Sequence, residues 1–488
     1  MKSIKNILFS LLTLSVFISC KTEEPFSGIK VSSSSNYYEP QSTIELNATY
    51  FTEGVADNST KIKVSIEKDT SDGAMFVLTS KAEDITITSG EKFSLKLGKN
   101  YTSKVKLIFS ADSSSTSYTV FTTTRISKED SAFGFASLGV DVSKMSKTVT
   151  VSNASELKSY ASKGGYTIFV DGEIDMTDGL LPSSGSNSNS YPKKMDDFVN
   201  SNTNGKYKTY TAWFTENSNV STSANTGTSD ISNKYKNIVQ IKVASNTQII
   251  GLENAVIRGA VFSIRYVENV VIRNIKIQDS IDPFPHHESG DGFNAQHDAV
   301  GIDGSSNIWI DHCTFEDTIK LATAKNGEKW QVYDGLCDMK ADSKNITVSF
   351  CQFINHDKTM LIGSGDSDGS SETRTITLAN NYFLDCGQRC PMVRNSRIHI
   401  YNNVFDSKNR IYTSQSTINA RSGSIVFEEN NYWGSGVAST SIDGGTVTSK
   451  MSDVIRDSEK YEYDLLPSSK KLIENTGFNI LVEVPEEN

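Results

Sequence analysis

The sequence predicts an all-β chain, a parallel β-helix preceded by a small β-sandwich. Two observations predict it. One eight-residue pattern recurs six times between residues 270 and 432, and short alternating strands separated by turn-rich stretches fill residues 26–128. Alternation of apolar and polar residues is the period of a strand with one buried face. A pattern returning every 20–50 residues or so marks a solenoid or propeller. No helical pattern separates the repeated strands, which favours a β-helix over leucine-rich or α-solenoid arrays.

The chain opens with Met1-Lys-Ser-Ile-Lys5 and an apolar run over residues 7–18, the form of a secretory signal. It ends at Phe17-Ile-Ser-Cys20, which resembles a bacterial lipobox, so residues 1–20 are expected to be a leader and Cys20 the lipidated first residue of the mature protein. The acidic stretch after Cys20 resembles export signals of surface lipoproteins, giving an expected cell-surface position on the outer membrane. No other stretch is apolar and long enough to span a bilayer. Residues 26–128 then read as several short strands of an immunoglobulin-like sandwich, serving as a spacer or a sugar-binding unit.

The β-helix domain is expected over 133–488. Asn153-Ala-Ser-Glu156 forms a capping box opening a short helix through Tyr160, suited to covering the end of a solenoid core. A polar insertion occupies roughly 183–236. The repeated segments follow: Val270–Ile277, Ile308–Phe315, Ile346–Phe353, Ile376–Phe383, Ile398–Phe405 and Ile425–Tyr432. The shortest step, Ile376 to Ile398, is 22 residues, and the longer steps read as the same coil with loops inserted. Their sixth position holds Ile275, Cys313, Cys351, Asn381, Asn403 and Asn430, which predicts an internal asparagine ladder at a bend.

The charged residues fall on the segments leading into these strands. Asp298, Asp334, Asp338, Arg389 and Arg394 should therefore share one outer wall, on coils about 4.8 Å apart. Lys358 lies in the same region. Asp334 and Asp338 would stand about 13 Å apart on a straight strand, so the chain must bend if both are to serve one site. Three clustered carboxylates repel one another unless a cation joins them, which itself argues for a metal.

The stretch from Asn269 to Phe405 resembles the calcium-dependent pectate lyases of polysaccharide lyase family 1. Trp309-Ile-Asp-His312, the Asp334 and Asp338 pair, His356-Asp-Lys358 and Arg389-x-Pro-x-x-Arg394 carry the resemblance, in order. It extends more weakly from about Phe133 to the C-terminus. The resemblance implies a right-handed β-helix and β-elimination on polygalacturonate. By position, Asp298, Asp334 and Asp338 would hold Ca²⁺, Lys358 and Arg394 would bind substrate carboxylates, and Arg389 would remove the proton from C5. The sequence departs from the family at Asn395-Ser396, at Cys390 and in the insertion.

The chemistry is coherent. Ca²⁺ takes six to eight oxygen ligands, so three aspartates leave room for substrate oxygens. Arginine is a demanding base, with an ordinary pKa above about 12, and nearby cations must disfavour its charged form; this points to an alkaline optimum. Lys358 is the alternative base. Two other readings stay open: a polysaccharide-binding β-helix without turnover, and a pectin lyase acting on methylated pectin. Hydrolases share the fold, but hydrolysis would require an acid and a base carboxylate flanking the bond.

A net charge of −10 over 488 residues argues against nucleic acid, and the groove must reverse that field locally to hold an acidic polymer. The expected partners are pectin or polygalacturonate and, through the lipid alone, the membrane, with the chain a monomer. His312 reads as structural, as do His356 and His399; the pair His286 and His287 reads as an exposed loop or subsite pair. Besides Cys20 there are five cysteines. Cys313 and Cys351 are expected to be reduced in the core, and a disulfide among Cys337, Cys386 and Cys390 is left open.

Overall fold

The structure is a computed structural model. It describes residues 25–33, 37–38, 43–67, 85–96, 105–122, 126–219, 228–408, 417–461, 463, 465, 476–480 and 482. Cys20 and the 1–20 leader lie outside the described residues. The chain divides into two compact units, with the break at Phe121 and Thr122. The first holds two antiparallel sheets. In one, the strand Thr43–Thr52 pairs with Gly28–Ser33, Val55–Asp57 and Lys92–Lys96; in the other, Lys61–Glu67 and Val105–Ala111 are central. Strand residues alternate in burial as their period requires: Leu46 and Ala48, Ile62 and Val64, Leu107 and Phe109 are inside.

The second unit is a parallel β-helix of three long sheets. A ten-stranded sheet runs from Lys147–Val151 to Thr446–Thr448 and contains the six repeated segments' first strands. An eight-stranded sheet begins with Glu173–Asp175 and ends with Tyr432–Trp433. A third, also of eight strands, begins with Gln240–Lys242 and passes through Val261–Arg265, Val300–Asp303, Cys337–Lys340, Leu361–Ile362, Met392–Arg394 and Asn419–Arg421 to Ser441–Asp443. Each strand bonds only to the coil before and the coil after, in parallel register.

Identical positions stack along the coils. Phe315, Phe353, Phe383 and Phe405 lie face to face with centroids 4.8–5.0 Å apart, and Trp433 continues the column. Asn381 Nδ2 donates to Asn403 Oδ1 and Asn403 Nδ2 to Asn431 Oδ1, each at 3.0 Å. The last rung is thus Asn431, not Asn430. Ile398 pairs with Val426 rather than Ile425, because Val426 is the fully buried residue of that coil. Asn430 instead completes a second ladder one position earlier, donating to Asn402, which donates to Asn380. All three have positive φ (50° at Asn430, 55° at Asn402 and 60° at Asn380), a left-handed bend that asparagine tolerates better than most residues.

The helix spans Ala154–Ala161. Asn153 Oδ1 accepts from Glu156 N at 3.0 Å, while the Glu156 carboxylate reaches Ser152 N instead of Asn153. Leu157 and Ala161 enter the main core beside Val151 and Ile168, where the solenoid begins. The insertion is helical, contrary to its polar appearance: helices Lys193–Asn202, Tyr210–Asn217 and Thr228–Val239 bury Met195 and Val199, Tyr210, Trp213 and Phe214, and Ile231, Tyr235 and Val239. These packed aromatics support the loops before the third sheet: Tyr210 OH donates to Pro283 O, and Phe214 meets Trp330 edge-on at 5.0 Å.

Candidate active site

The third sheet and its leading segments carry the charged residues. Gly301 and Asp338 are register partners on adjacent strands, and Asp298 lies just ahead of the same pair of coils. Lys358 forms a parallel bridge with Gln388 on the next coil, and Arg389 O accepts from Met360 N at 2.7 Å. Arg394 pairs in register with Arg421. The proposed acids and bases therefore lie along one outer strip crossing four successive coils.

The chain bends at Leu336 before the strand Cys337–Lys340 begins, so Asp334 and Asp338 are not held on one straight strand. The bend depends on Gly335. A Cβ there would lie within 2.7 Å of Oδ1, Cγ and Oδ2 of Asp338, whereas real Cβ atoms essentially never come within 3.0 Å of a neighbour. Asp338 is buried and accepts from Leu361 N at 2.9 Å. Burial, Asp298 and Asp334 all push its carboxyl up, against Lys340 and the Leu361 amide. Burial and Asp298 lift Asp334 to about 6, opposed by Lys340, Lys358 and Arg389.

Lys340 is the compensating charge that reading the sequence missed. Its Nζ is 2.7 Å from Asp298 and 3.3 Å from Asp338. Burial would lower its pKa, but Asp338, Asp298 and Asp334 hold it raised. One ammonium thus faces three carboxylates. The carboxylates sense one another without closing on a single point: among the described residues, no three His, Cys, Asp or Glu side chains gather closely enough to enclose an ion. The donor set still fits a hard divalent cation. It is all oxygen, with Asp338 buried and Asp298 and Asp334 partly so.

Arg389 sits in a tight turn, with φ of +57° and a cis peptide between Cys390 and Pro391. Its Nε is buried without a hydrogen-bond partner. Lys358 is nearly buried; its Nζ donates to Asn294 Oδ1 at 2.5 Å and stands 3.8 Å from Asp291. Arg394 bonds Asp366 Oδ1 through Nε and Gly363 O through a terminal nitrogen, both at 3.0 Å.

Histidines here serve structure. His312 Nδ1 meets Asp311 at 2.7 Å, and Arg273 bonds the same carboxylate; burial would raise Asp311, but these partners bring it down to about 2. His287 is not an exposed loop residue. It lies in the hairpin of His286–Glu288 and Gly292–Asn294, bonds Glu328 at 2.8 Å and meets the Phe293 ring edge-on. His356 is buried 2.6 Å from Asp317. Burial lifts Asp317 to about 6 with His356 opposing, and burial would lower His356 but Asp317 carries it to about 9. The five described cysteines are free thiols, all buried.

A family model described as pectate lyase matches residues 183–460. Pectate lyase E of Dickeya chrysanthemi is 42% identical over 214 residues, covering 42% of this chain and 55% of that protein. A pectate lyase of Bacillus subtilis (strain 168) is 33% identical over 290 residues, covering 56% and 67%. The chain spans about half the length of the curated Dickeya relatives it matches. Among solved structures, a pectate lyase from Acidovorax avenae subsp citrulli has a TM-score of 0.57 at 21% identity, covering 74% of this chain and 96% of that one. The thermostable pectate lyase PL 47 has 0.55 at 24%, covering 72% and 99%. Both share the fold.

Proposed function

The chain belongs to the pectate lyase family, and from that premise we propose that it cleaves de-esterified α-1,4-polygalacturonate by Ca²⁺-dependent β-elimination. The observation that carries this reading is the outer strip itself, where three interacting aspartates lie close to Lys358 and Arg389, with Arg394 further along the same strip. Asp298, Asp334 and Asp338 would hold the ion. Bound there, Ca²⁺ would withdraw charge from a uronate carboxylate as a Lewis acid.

The chain's own residues supply the rest. Lys358 and Arg394 pair with uronate carboxylates on neighbouring coils and orient the polymer. Arg389, in its neutral form, takes the C5 proton; the C–H electron pair becomes the C4–C5 double bond, the C4–O4 bond breaks with its electron pair staying on O4, and the released sugar oxygen takes a proton from water. Met360 N donates to the Arg389 carbonyl at 2.7 Å, which fixes the backbone from which that guanidinium projects. Lys340, held against two of the aspartates, keeps part of their charge balanced. A binder without turnover would have no use for Arg389. A pectin lyase would have no use for the aspartates, since a methyl ester removes the charge they and the cations address.

We also read Cys20 as lipidated, residues 26–128 as a spacer or binding unit, and the mature protein as a monomeric outer membrane lipoprotein at the cell surface. Among the described residues no helix is long and apolar enough to cross a membrane. The test is direct: incubate the protein with polygalacturonate, with and without chelator, and follow the ultraviolet absorbance of unsaturated uronide. Chelator-sensitive absorbance is expected. Cleavage without an absorbing product would overturn the elimination chemistry, and faster turnover on methylated pectin that ignores chelator would make it a pectin lyase.

A further inference from the structure

We propose that Asp366 and Asp291 are resident anions that occupy the substrate cations and must be displaced by uronate carboxylates, and so set the affinity of the groove for its polymer. This rests on the role given above to Lys358 and Arg394.

Both cations are capped in the same way. Arg394 has a side chain 13% exposed, and the Asp366 carboxylate bonded to it is 66% exposed. Lys358 is 5% exposed, and Asp291 near it is 57% exposed. In each pair the acid is the outer member, on the solvent side from which a polymer must arrive. An exposed carboxylate on a nearly buried cation has the charge and reach of a uronate carboxylate, so the two compete for one guanidinium or ammonium.

Neither acid is a loose surface chain. Asn395 Nδ2 donates to Asp366 O at 2.9 Å and to Asp368 O at 3.1 Å, fixing the loop that presents Asp366. The Asn395 departure from the family pattern thereby gains a use. Hydrogen bonds from Ser422 and Arg394 hold the Asp366 carboxyl below its ordinary range. Asp291 lies at the tip of the hairpin whose Phe293 packs on Trp330, with ring centroids 4.7 Å apart. The contact of Asp291 with Lys358 is the longer one, and Asn294 shares that ammonium, so Asp366 is the stronger cap.

The experiment is kinetics on polygalacturonate at low ionic strength with wild-type protein, Asp366→Asn and Asp291→Asn. Removing a competing exposed charge is expected to lower KM about two- to fivefold for Asp366→Asn, and less for Asp291→Asn, with kcat unchanged. The gain should fade as salt is raised, because the pairing is near the surface and screened. A KM that stays constant or rises in both variants would overturn the proposal and make the acids orienting partners of the cations. Wild-type protein that does not act on polygalacturonate would instead overturn the functional reading itself, so the two failures are told apart by the control.

Discussion

Gly335→Ala isolates the geometry of the acid cluster without touching any charge. The new Cβ would fall within 2.7 Å of three atoms of the Asp338 carboxylate, well inside the 3.4 Å at which ordinary contact begins. Backbone and carboxylate must part by several tenths of an ångström or more. Asp338 Oδ1 accepts from Leu361 N at 2.9 Å while Lys340 stands 3.3 Å from Oδ2, and that displacement breaks the Leu361 bond. A hydrogen bond to a charged group contributes roughly 1.5–3 kcal/mol, and each 1.4 kcal/mol is about tenfold in an equilibrium constant. The Ca²⁺ concentration giving half-maximal cleavage should therefore rise about 10- to 100-fold, with much of the turnover recovered at saturating ion. The assay is a calcium titration of polygalacturonate cleavage, read by ultraviolet absorbance. Gly365→Ala is the control, since a Cβ there meets nothing within 4 Å. A Gly335→Ala protein with the wild-type calcium requirement would refute the reasoning.

Other perturbations reach separate parts of the molecule. Arg389→Lys should lose turnover by roughly 10²–10⁴-fold with little change in KM, the scale of a general base; near-wild-type kcat in this variant would move the base to Lys358. His356→Ala leaves the buried Asp317 without its partner, at a cost of about 3–5 kcal/mol, read as a lower urea midpoint. The pH dependence has a definite sign: with His356 raised to about 9, its stabilisation is complete below pH 6.5 and lost as pH climbs to 9. A wild-type midpoint minus variant midpoint that is flat from pH 6 to 9 would contradict the pair's role. Cys20→Ala should release the protein from membranes into the soluble fraction, and wild-type protein already found there would remove the lipobox reading.

How much of this was legible in the sequence depended on what repeats. The strands of the ten-stranded sheet were visible because Ile308, Ile346, Ile376 and Ile398 mark one inward row. The pattern misled at Ile425, where two apolar residues stand side by side and only burial shows that Val426 faces inward. It also concealed the second asparagine ladder, whose position holds His312 and Phe350 in earlier coils and shows its unity only in a shared positive φ. The insertion looked polar on composition, yet Ile231, Tyr235 and Val239 recur at helical spacing and could have revealed a helix. Lys340 was overlooked because nothing local distinguishes it; its meaning comes from Asp298 on the preceding coil. Gly335 is similar, since a glycine between two aspartates reads as an ordinary turn until the carboxylate beside it is seen.

The ladder of parallel strands makes distance along the groove a discrete quantity. Equivalent positions on this strip are separated by whole coils, so their spacing changes in steps of about 4.8 Å. Loop insertions, such as the long one before Cys337, lengthen the path of the chain without altering that pitch. Adding one complete coil between the strands Cys337–Lys340 and Met392–Arg394 would leave every ladder able to continue, yet would move the aspartates one full step from Arg394. The solenoid thus works as a ruler whose graduations are its own hydrogen-bonded rungs. Under the proposed function, a polymer would be read against it by whether its carboxylates recur at a matching interval, and a sugar chain with a different repeat would fall out of step.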